Sequence, residues 1–246
     1  MKKLLLLSAL FVQLSAATLN VAVAANVSYA MDQLKATFMQ QHPDIDLHIT
    51  LGGSGKLIAQ IANGAPYDLF LSANMHYPQA LYKQGLAYNK PVVYAKGALA
   101  LFSKKERDFT AGLDLLTKAD IRRIAMANPK TAPYGQAAMQ ALKRAKLYER
   151  LKPKIIYGES IAQTLLYTLT AADLGLVAKS ALYSQKLQHF QEGRNWITLD
   201  PHLYNPIEQG VVILTRAKNK PEAQLFYDFI LSPEAQTIFR AYGYTL

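Results

Sequence analysis

The sequence predicts an α/β protein made of parallel sheets covered by helices, in two segments of the same architecture. Three observations carry this. Short apolar runs alternate with stretches of helical periodicity over residues 18–73 and again over 121–178. Small or polar residues stand where such a run hands over to a helix, at Ala25-Asn26, Gly53-Ser54, Pro133-Tyr134-Gly135 and Ser160-Ile161. Charge is unevenly shared: residues 18–94 and 208–246 each carry four basic and four acidic side chains, whereas residues 95–207 carry 17 basic and 9 acidic ones.

The elements follow in order. Met1-Lys2-Lys3, the apolar run Leu4–Leu14 and the small residues Ser15-Ala16-Ala17 read as an export signal over residues 1–17. The run is too short to span a bilayer, and with no cysteine to carry a lipid the expected product is a free periplasmic protein starting near Thr18. Leu19–Ala25 reads as a buried strand, with Asn26 or Ser28 capping a helix whose apolar face is Ala30, Met31, Leu34 and Phe38. Leu47–Leu51 alternates as a second strand, and Leu57, Ile58, Ile61 and Ala62 recur at helical spacing. Asn63–Tyr67 is a turn and Asp68–Ala73 a third strand.

Pro91–Ser103 is β-rich but interrupted at Lys96-Gly97, and the charge balance changes within it, so it reads as the crossover into a second domain. Phe109–Thr117 is a loop with a short helix, and Ile121–Met126 a strand. A helix opens at Thr131–Gln136 and runs through Ala138, Met139, Leu142 and Ala145. Lys154–Tyr157 is the next strand, Gly158–Ile161 leads into a helix through Leu165, Leu166 and Leu169, and Leu174–Ala178 is another strand. Trp196–Tyr204 reads as irregular and Pro206–Leu214 as a return strand. Helices over Pro221–Ile230 and Pro233–Tyr242 then rejoin the first domain, so the expected division is 18–94 with 208–246 against 95–207.

The stretch Gly52-Gly53-Ser54-Gly55-Lys56-Leu57 offers a tight turn, a hydroxyl and the unpartnered first N–H groups of a helix, together a seat for an oxyanion. The alternative is a serine N-cap closed by its own backbone. Ligands of open parallel sheets sit at the carboxyl ends of strands, so Asn26 and Ser54, on successive turns, point to one shared ligand. Lys56, on the first helical turn, is expected to face solvent. The stretch is not a Walker A loop, because Thr50 and Leu57 replace the required Gly and Ser/Thr. Nor is it a nucleophile elbow, since Lys56 stands where the second glycine belongs. A secreted hydrolase acting through Ser54 would need a histidine nearby, and His42, His48, His76, His189 and His202 are scattered. No His or carboxylate cluster has metal-ligand spacing. The basic middle segment suits steering of a small anion or docking on an acidic surface better than nucleic acid, which an exported protein rarely meets.

Taken in order, Val23–Val27, Gly53-Ser54-Gly55, Ala59–Phe70, Asn128-Pro129 with Ala132-Pro133-Tyr134-Gly135, Ala172–Gly175, Phe226–Phe229, Pro233-Glu234-Ala235 and Tyr242-Gly243 resemble the periplasmic molybdate-binding proteins, receptors of molybdate-type ABC importers. The resemblance covers essentially all of the mature chain. It implies a two-lobed periplasmic binding protein of type II, each lobe a parallel-rich sheet flanked by helices, joined by a two-strand hinge with the oxyanion buried between. It implies Asn26 and Ser54 as ligands from the first lobe, each through its N–H and a side-chain donor. From the second it implies Tyr134 and Ile161, the latter through its N–H alone. Some members carry a tyrosine ligand at the position of Ala178; that hydroxyl is missing here, and Tyr134 is the expected substitute. Neutral donors at helix starts can hold a doubly charged anion without a salt bridge. The expected ligand is molybdate or tungstate, with no cofactor, no direct metal-cation ligand and no catalysis. The expected partner is an inner-membrane ABC permease, the expected state a monomer without nucleic acid. A receptor of the same fold for sulfate, phosphate or chromate is the closest alternative.

Overall fold

A computed structural model describes residues 17–245. The expected export signal lies outside the described residues except for Ala17, which opens the first strand. The chain begins with β1 (Ala17–Ala24), α1 (Ser28–Gln41), β2 (Ile45–Gly52), α2 (Ser54–Ala62), β3 (Leu69–Leu71), α3 (His76–Lys83) and β4 (Val92–Gly97). It crosses into β5 (Leu99–Phe102), β6 (Ile124–Ala127), α4 (Pro133–Arg144), α5 (Tyr148–Leu151), β7 (Ile155–Gly158), α6 (Ile161–Thr170), β8 (Leu174–Ala178), α7 (Lys179–Leu182) and β9 (Trp196–Thr198). It returns through β10 (Ile207–Ile213) and closes with α8 (Pro221–Leu231) and α9 (Pro233–Ala241).

Two five-stranded sheets result, ordered β2-β1-β3-β10-β4 and β7-β6-β8-β5-β9. Each is covered on both faces, which is why the inner strands β3, β5, β6 and β8 read as unbroken apolar runs, whereas the edge strand β2 alternates. In the first sheet Leu19, Val21 and Val23 pack with Leu34, Phe38 and Phe226, while Ala22 and Phe70 face Leu57, Ile61 and Leu81 on the other side. In the second, Leu99 and Leu101 join Ile124, Met126, Ala138 and Leu142, whereas Ala100 and Phe102 turn to Val177, Leu165 and Leu182. The two-lobed α/β fold expected from the sequence is therefore present.

The parallel pattern is confined to three strands of each sheet: β1 with β2 and β3, and β6 with β7 and β8. The strands that arrive from the other sheet run the opposite way, β10 against β3 and β5 against β8. The geometry requires this, because β1, β2 and β3 end at the gap between the sheets, where β5 and β10 begin. Pro91–Ser103 is thus two strands in two sheets, parted at Ala98. The segment read as irregular from Trp196 contains a short strand, β9, antiparallel to β5. The strand expected over Ile121–Met126 starts later, because the N–H groups of Arg122 and Arg123 donate to the Asp173 carboxylate at 2.8 and 2.9 Å.

Candidate functional site

Four strand-to-helix turns converge between the sheets. In the first lobe they are the single 3₁₀ turn Ala25–Val27 after β1 and the start of α2 after β2. In the second they are the starts of α4 and α6. Asn26, Ser54, Tyr134 and Ile161 all line one small cavity between the lobes. It is small, leaving about 10 Å³ for the centre of a water-sized sphere, about what a single water needs. Among the described residues, none accepts a hydrogen bond from the N–H of these four residues, as expected where a helix has no earlier turn to bond to.

The local chemistry makes each turn. Pro133 opens α4 with its fixed φ and no N–H of its own, so Tyr134 carries the first available donor there. At α6, Ser160 Oγ accepts from the Gln163 N–H at 3.2 Å and Gln163 Oε1 accepts from the Glu159 N–H at 2.6 Å, a reciprocal cap that leaves the Ile161 N–H to the cavity. Ser54 is not a cap: Gly53 holds that position and Ser54 is the first helical residue, 1% exposed. Its Oγ accepts from the Ala73 N–H at 3.0 Å, so its own proton is left to donate. Lys56 is exposed, as expected.

Asn26 departs from expectation twice. Neither it nor Ser28 caps α1; Ser28 Oγ donates instead to the Ala25 carbonyl at 2.8 Å. A carboxamide has two N–H hydrogens, and those of Asn26 go to Gln209 Oε1 at 2.7 Å and the Tyr244 hydroxyl at 3.0 Å. Its side chain is therefore not a donor to the cavity; only its backbone N–H is available. The Asn26 carbonyl accepts from Tyr244 of the first lobe at 2.8 Å and from Ser180 of α7 in the second at 3.1 Å. Sequence reasoning missed Gln209, Tyr94, Tyr244 and Ser180. A signal existed for Gln209, an amide inside the apolar run Pro206–Leu214.

Tyr134 is 1% exposed and lines the cavity, but its hydroxyl extends to the hinge strands, onto Gly97 and beside Gln209 Nε2. Neither Gly97 nor Gln209 lines the cavity, so this hydroxyl is not placed as the substitute for the tyrosine absent at Ala178. Ala178 is itself buried away from the cavity. Burial first, then neighbouring tyrosines, pushes the Tyr134 phenol well above its ordinary 10.0. Burial likewise raises Tyr94 well above that value and Tyr244 to about 12. The surroundings of the cavity are thus polar, neutral and non-titrating at physiological pH.

The lobes touch at the mouth. Gly55 N–H donates to the Thr131 carbonyl at 3.0 Å, and the Tyr77 hydroxyl reaches the same oxygen at 3.4 Å. A Cβ on Gly55 would stand 2.6 Å from that carbonyl, and one on Gly53 2.9 Å from the Glu159 carbonyl, so glycine is what lets the two backbones meet. No histidine and no Lys or Arg lines the cavity. Among the described residues no His/Cys/Asp/Glu group could hold a metal ion. Among the residues lining the cavity, none is a histidine or carboxylate of the kind a serine hydrolase uses to activate its nucleophile, while N–H and hydroxyl donors face it.

The pattern of the family described as bacterial extracellular solute-binding protein matches residues 19–245. The molybdate-binding protein ModA of Azotobacter vinelandii is 38% identical over 233 residues, covering 94% of this chain and 91% of the relative. ModA of Rhodobacter capsulatus is 35% identical over 228 residues, covering 91% and 86%. The solved structure of an A. vinelandii periplasmic molybdate-binding protein superposes with a TM-score of 0.86 at 33% identity, covering 93% of this chain and 99% of that one. With its two lobes, its buried donor cavity and these likenesses, the chain belongs to the bacterial extracellular solute-binding proteins, among their molybdate-binding members.

Proposed function

We propose that this protein captures molybdate, and tungstate with it, in the periplasm and delivers it to an inner-membrane ABC permease, acting as a monomer by binding alone. The observation that carries the site is the convergence of four unpartnered N–H groups, two from each lobe, with the Ser54 hydroxyl on one small cavity between the lobes. Asn26, Ser54, Tyr134 and Ile161 are the ligands, each through its backbone N–H, with Ser54 adding its side chain. Residues 18–94 with 208–246 form the first lobe and 95–207 the second, Ala95–Gly97 and Ile207 being shared by the hinge.

The anion bonds both lobes at once, so its binding favours the closed state over an open one. A tetrahedral anion large enough to reach all five donors leaves none unpaired; a smaller one leaves a buried donor unsatisfied, which sets the preference over sulfate. Titration calorimetry with molybdate, tungstate, sulfate and phosphate tests this. Tight binding of the first two alone is expected, and sulfate or phosphate binding as tightly as molybdate would overturn it.

A further inference from the structure

A dense patch of positive charge lies on the second lobe, at the end of its strands away from the anion cavity. Residues 143–154 carry Lys143, Arg144, Lys146, Arg150, Lys152 and Lys154 against Glu149 alone, and residues 118–123 carry Lys118, Arg122 and Arg123 against Asp120. These two segments end where β7 and β6 begin, and Lys154 Nζ donates to the Lys118 carbonyl at 3.3 Å, so they form one surface. All of these cations except Lys154 are exposed. Among the described residues, none of them has a carboxylate partner. Asp120 is taken by Arg107, and the neighbouring Asp173 carboxylate by the N–H groups of Arg122 and Arg123. The equivalent end of the first lobe differs: there Arg216 and Lys220 both face the buried Asp68, at 3.4 and 3.1 Å.

The patch is too distant to steer an anion. The cavity lies at the other ends of β6 and β7, which are four residues each, or about 13 Å of strand. Exposed charges act over about 8 Å at physiological ionic strength. Neither segment exposes a large apolar side chain, the anchor on which a protein interface depends. An anionic lipid surface needs only charge, each nearby Lys or Arg adding to the attraction. We propose that this end of the second lobe docks electrostatically on a bilayer of anionic phospholipid, its lysines and arginines pairing with headgroup phosphates. Docked this way, the protein lies at the membrane surface with its anion cavity at the opposite end of the strands, so lipid and molybdate bind independently. Without an apolar face to insert, the attachment is reversible and sensitive to salt.

The test is sedimentation of the mature protein with vesicles of phosphatidylethanolamine and phosphatidylglycerol, against vesicles of phosphatidylcholine, at low and high salt. Two triple variants of equal net charge are compared. Arg122→Glu/Arg150→Glu/Lys152→Glu changes the patch, and Lys83→Glu/Lys90→Glu/Lys218→Glu changes exposed cations of the first lobe. The parent should bind the anionic vesicles alone and leave them at about 0.5 M salt. The patch triple should lose about a hundredfold or more in partitioning, and the first-lobe triple no more than about threefold. Both should keep the parent's circular dichroism and its molybdate affinity. No binding of the parent to anionic vesicles, or equal losses in the two triples, overturns the docking surface. So does slower molybdate association in the patch triple alone, which would return the charge to anion steering. A parent that binds anionic vesicles but no molybdate would overturn the proposed ligand and leave the docking surface standing.

Discussion

The two lobes bring the same kind of donor to the cavity but hold it by different means. In the second lobe the support is local. Pro133 presets the start of α4, and Ser160 with Gln163, three residues apart, caps α6. In the first lobe it is remote. Asn26 is clamped by Gln209, 183 residues away, and by Tyr244, 218 residues away, while Ser54 is oriented by the Ala73 N–H. A local cap forms with its helix whatever the rest of the protein does. The Asn26 clamp exists only when the hinge strand β10 and the segment after α9 are in place, so that donor is coupled to hinge geometry, whereas the α6 cap at Ile161 is not.

Substitutions on the two sides of the cleft should therefore differ in size and kind. The largest effect is expected from Gly97→Ala, whose new Cβ overlaps the Tyr134 phenol and holds the lobes apart. Molybdate affinity should fall about a hundredfold or more, read by calorimetry, with the second lobe's own helices intact by circular dichroism. Ser54→Ala removes one hydroxyl donor to a charged ligand and should cost about 1.5–3 kcal/mol of binding; it also leaves the buried Ala73 N–H without its acceptor, so the thermal midpoint should fall as well, by the equivalent of about 1–3 kcal/mol. Asn26→Ala keeps the cavity N–H but frees Gln209 and Tyr244; about a tenfold loss of affinity is expected from disorder of the turn alone. Equal affinity to the parent would show that remote clamping of the first lobe is unimportant.

On the second-lobe side, Ser160→Ala should cost about 1 kcal/mol of stability in denaturant titration while changing affinity by no more than about threefold. The smallest effect is that of pH. With no titratable group other than a raised tyrosine at the cavity, the protein's contribution to affinity should be flat from about pH 6 to 9. Stability behaves differently at the alkaline end. The folded state raises the Tyr244 phenol from 10.0 to about 12, mainly by burial, so it favours the protonated form. That contribution is complete below pH 10 and is lost as pH rises toward about 12. Denaturation midpoints followed over that range should fall; a flat profile would mean that the phenol is solvated.

The alternation of apolar runs and helical periods was enough to find β1, β2, β3, β6, β7, β8 and β10, and the helix starts that follow β1, β2, β6 and β7. It failed at β9, three residues long and paired to a single neighbour, where burial is too one-sided and brief to leave a pattern. It also blurred the join of β4 and β5, because two apolar strands separated only by Ala98 look the same whether they share a sheet or not. At the site, the residues that contribute by backbone were legible: the first N–H of a helix is free wherever the helix begins, and glycine, proline and small polar residues mark that beginning.

What the sequence by itself determined, then, is the pair of α/β lobes and the strand-to-helix turns that follow β1, β2, β6 and β7. These follow from periodicity and turn chemistry, which act over a few residues, whereas the choice of Tyr134 and Ile161 as donor positions came from the resemblance. Only the tertiary structure decided what the side chains at those turns do. The Asn26 carboxamide turns to Gln209 and Tyr244 instead of the cavity, the Tyr134 hydroxyl reaches Gly97 at the hinge, and the Ser54 oxygen is spent on Ala73 so that its proton is free. A polar side chain bonds whichever buried partner the packing brings to it, and those partners come from strands and loops far along the chain that meet only when both sheets have formed.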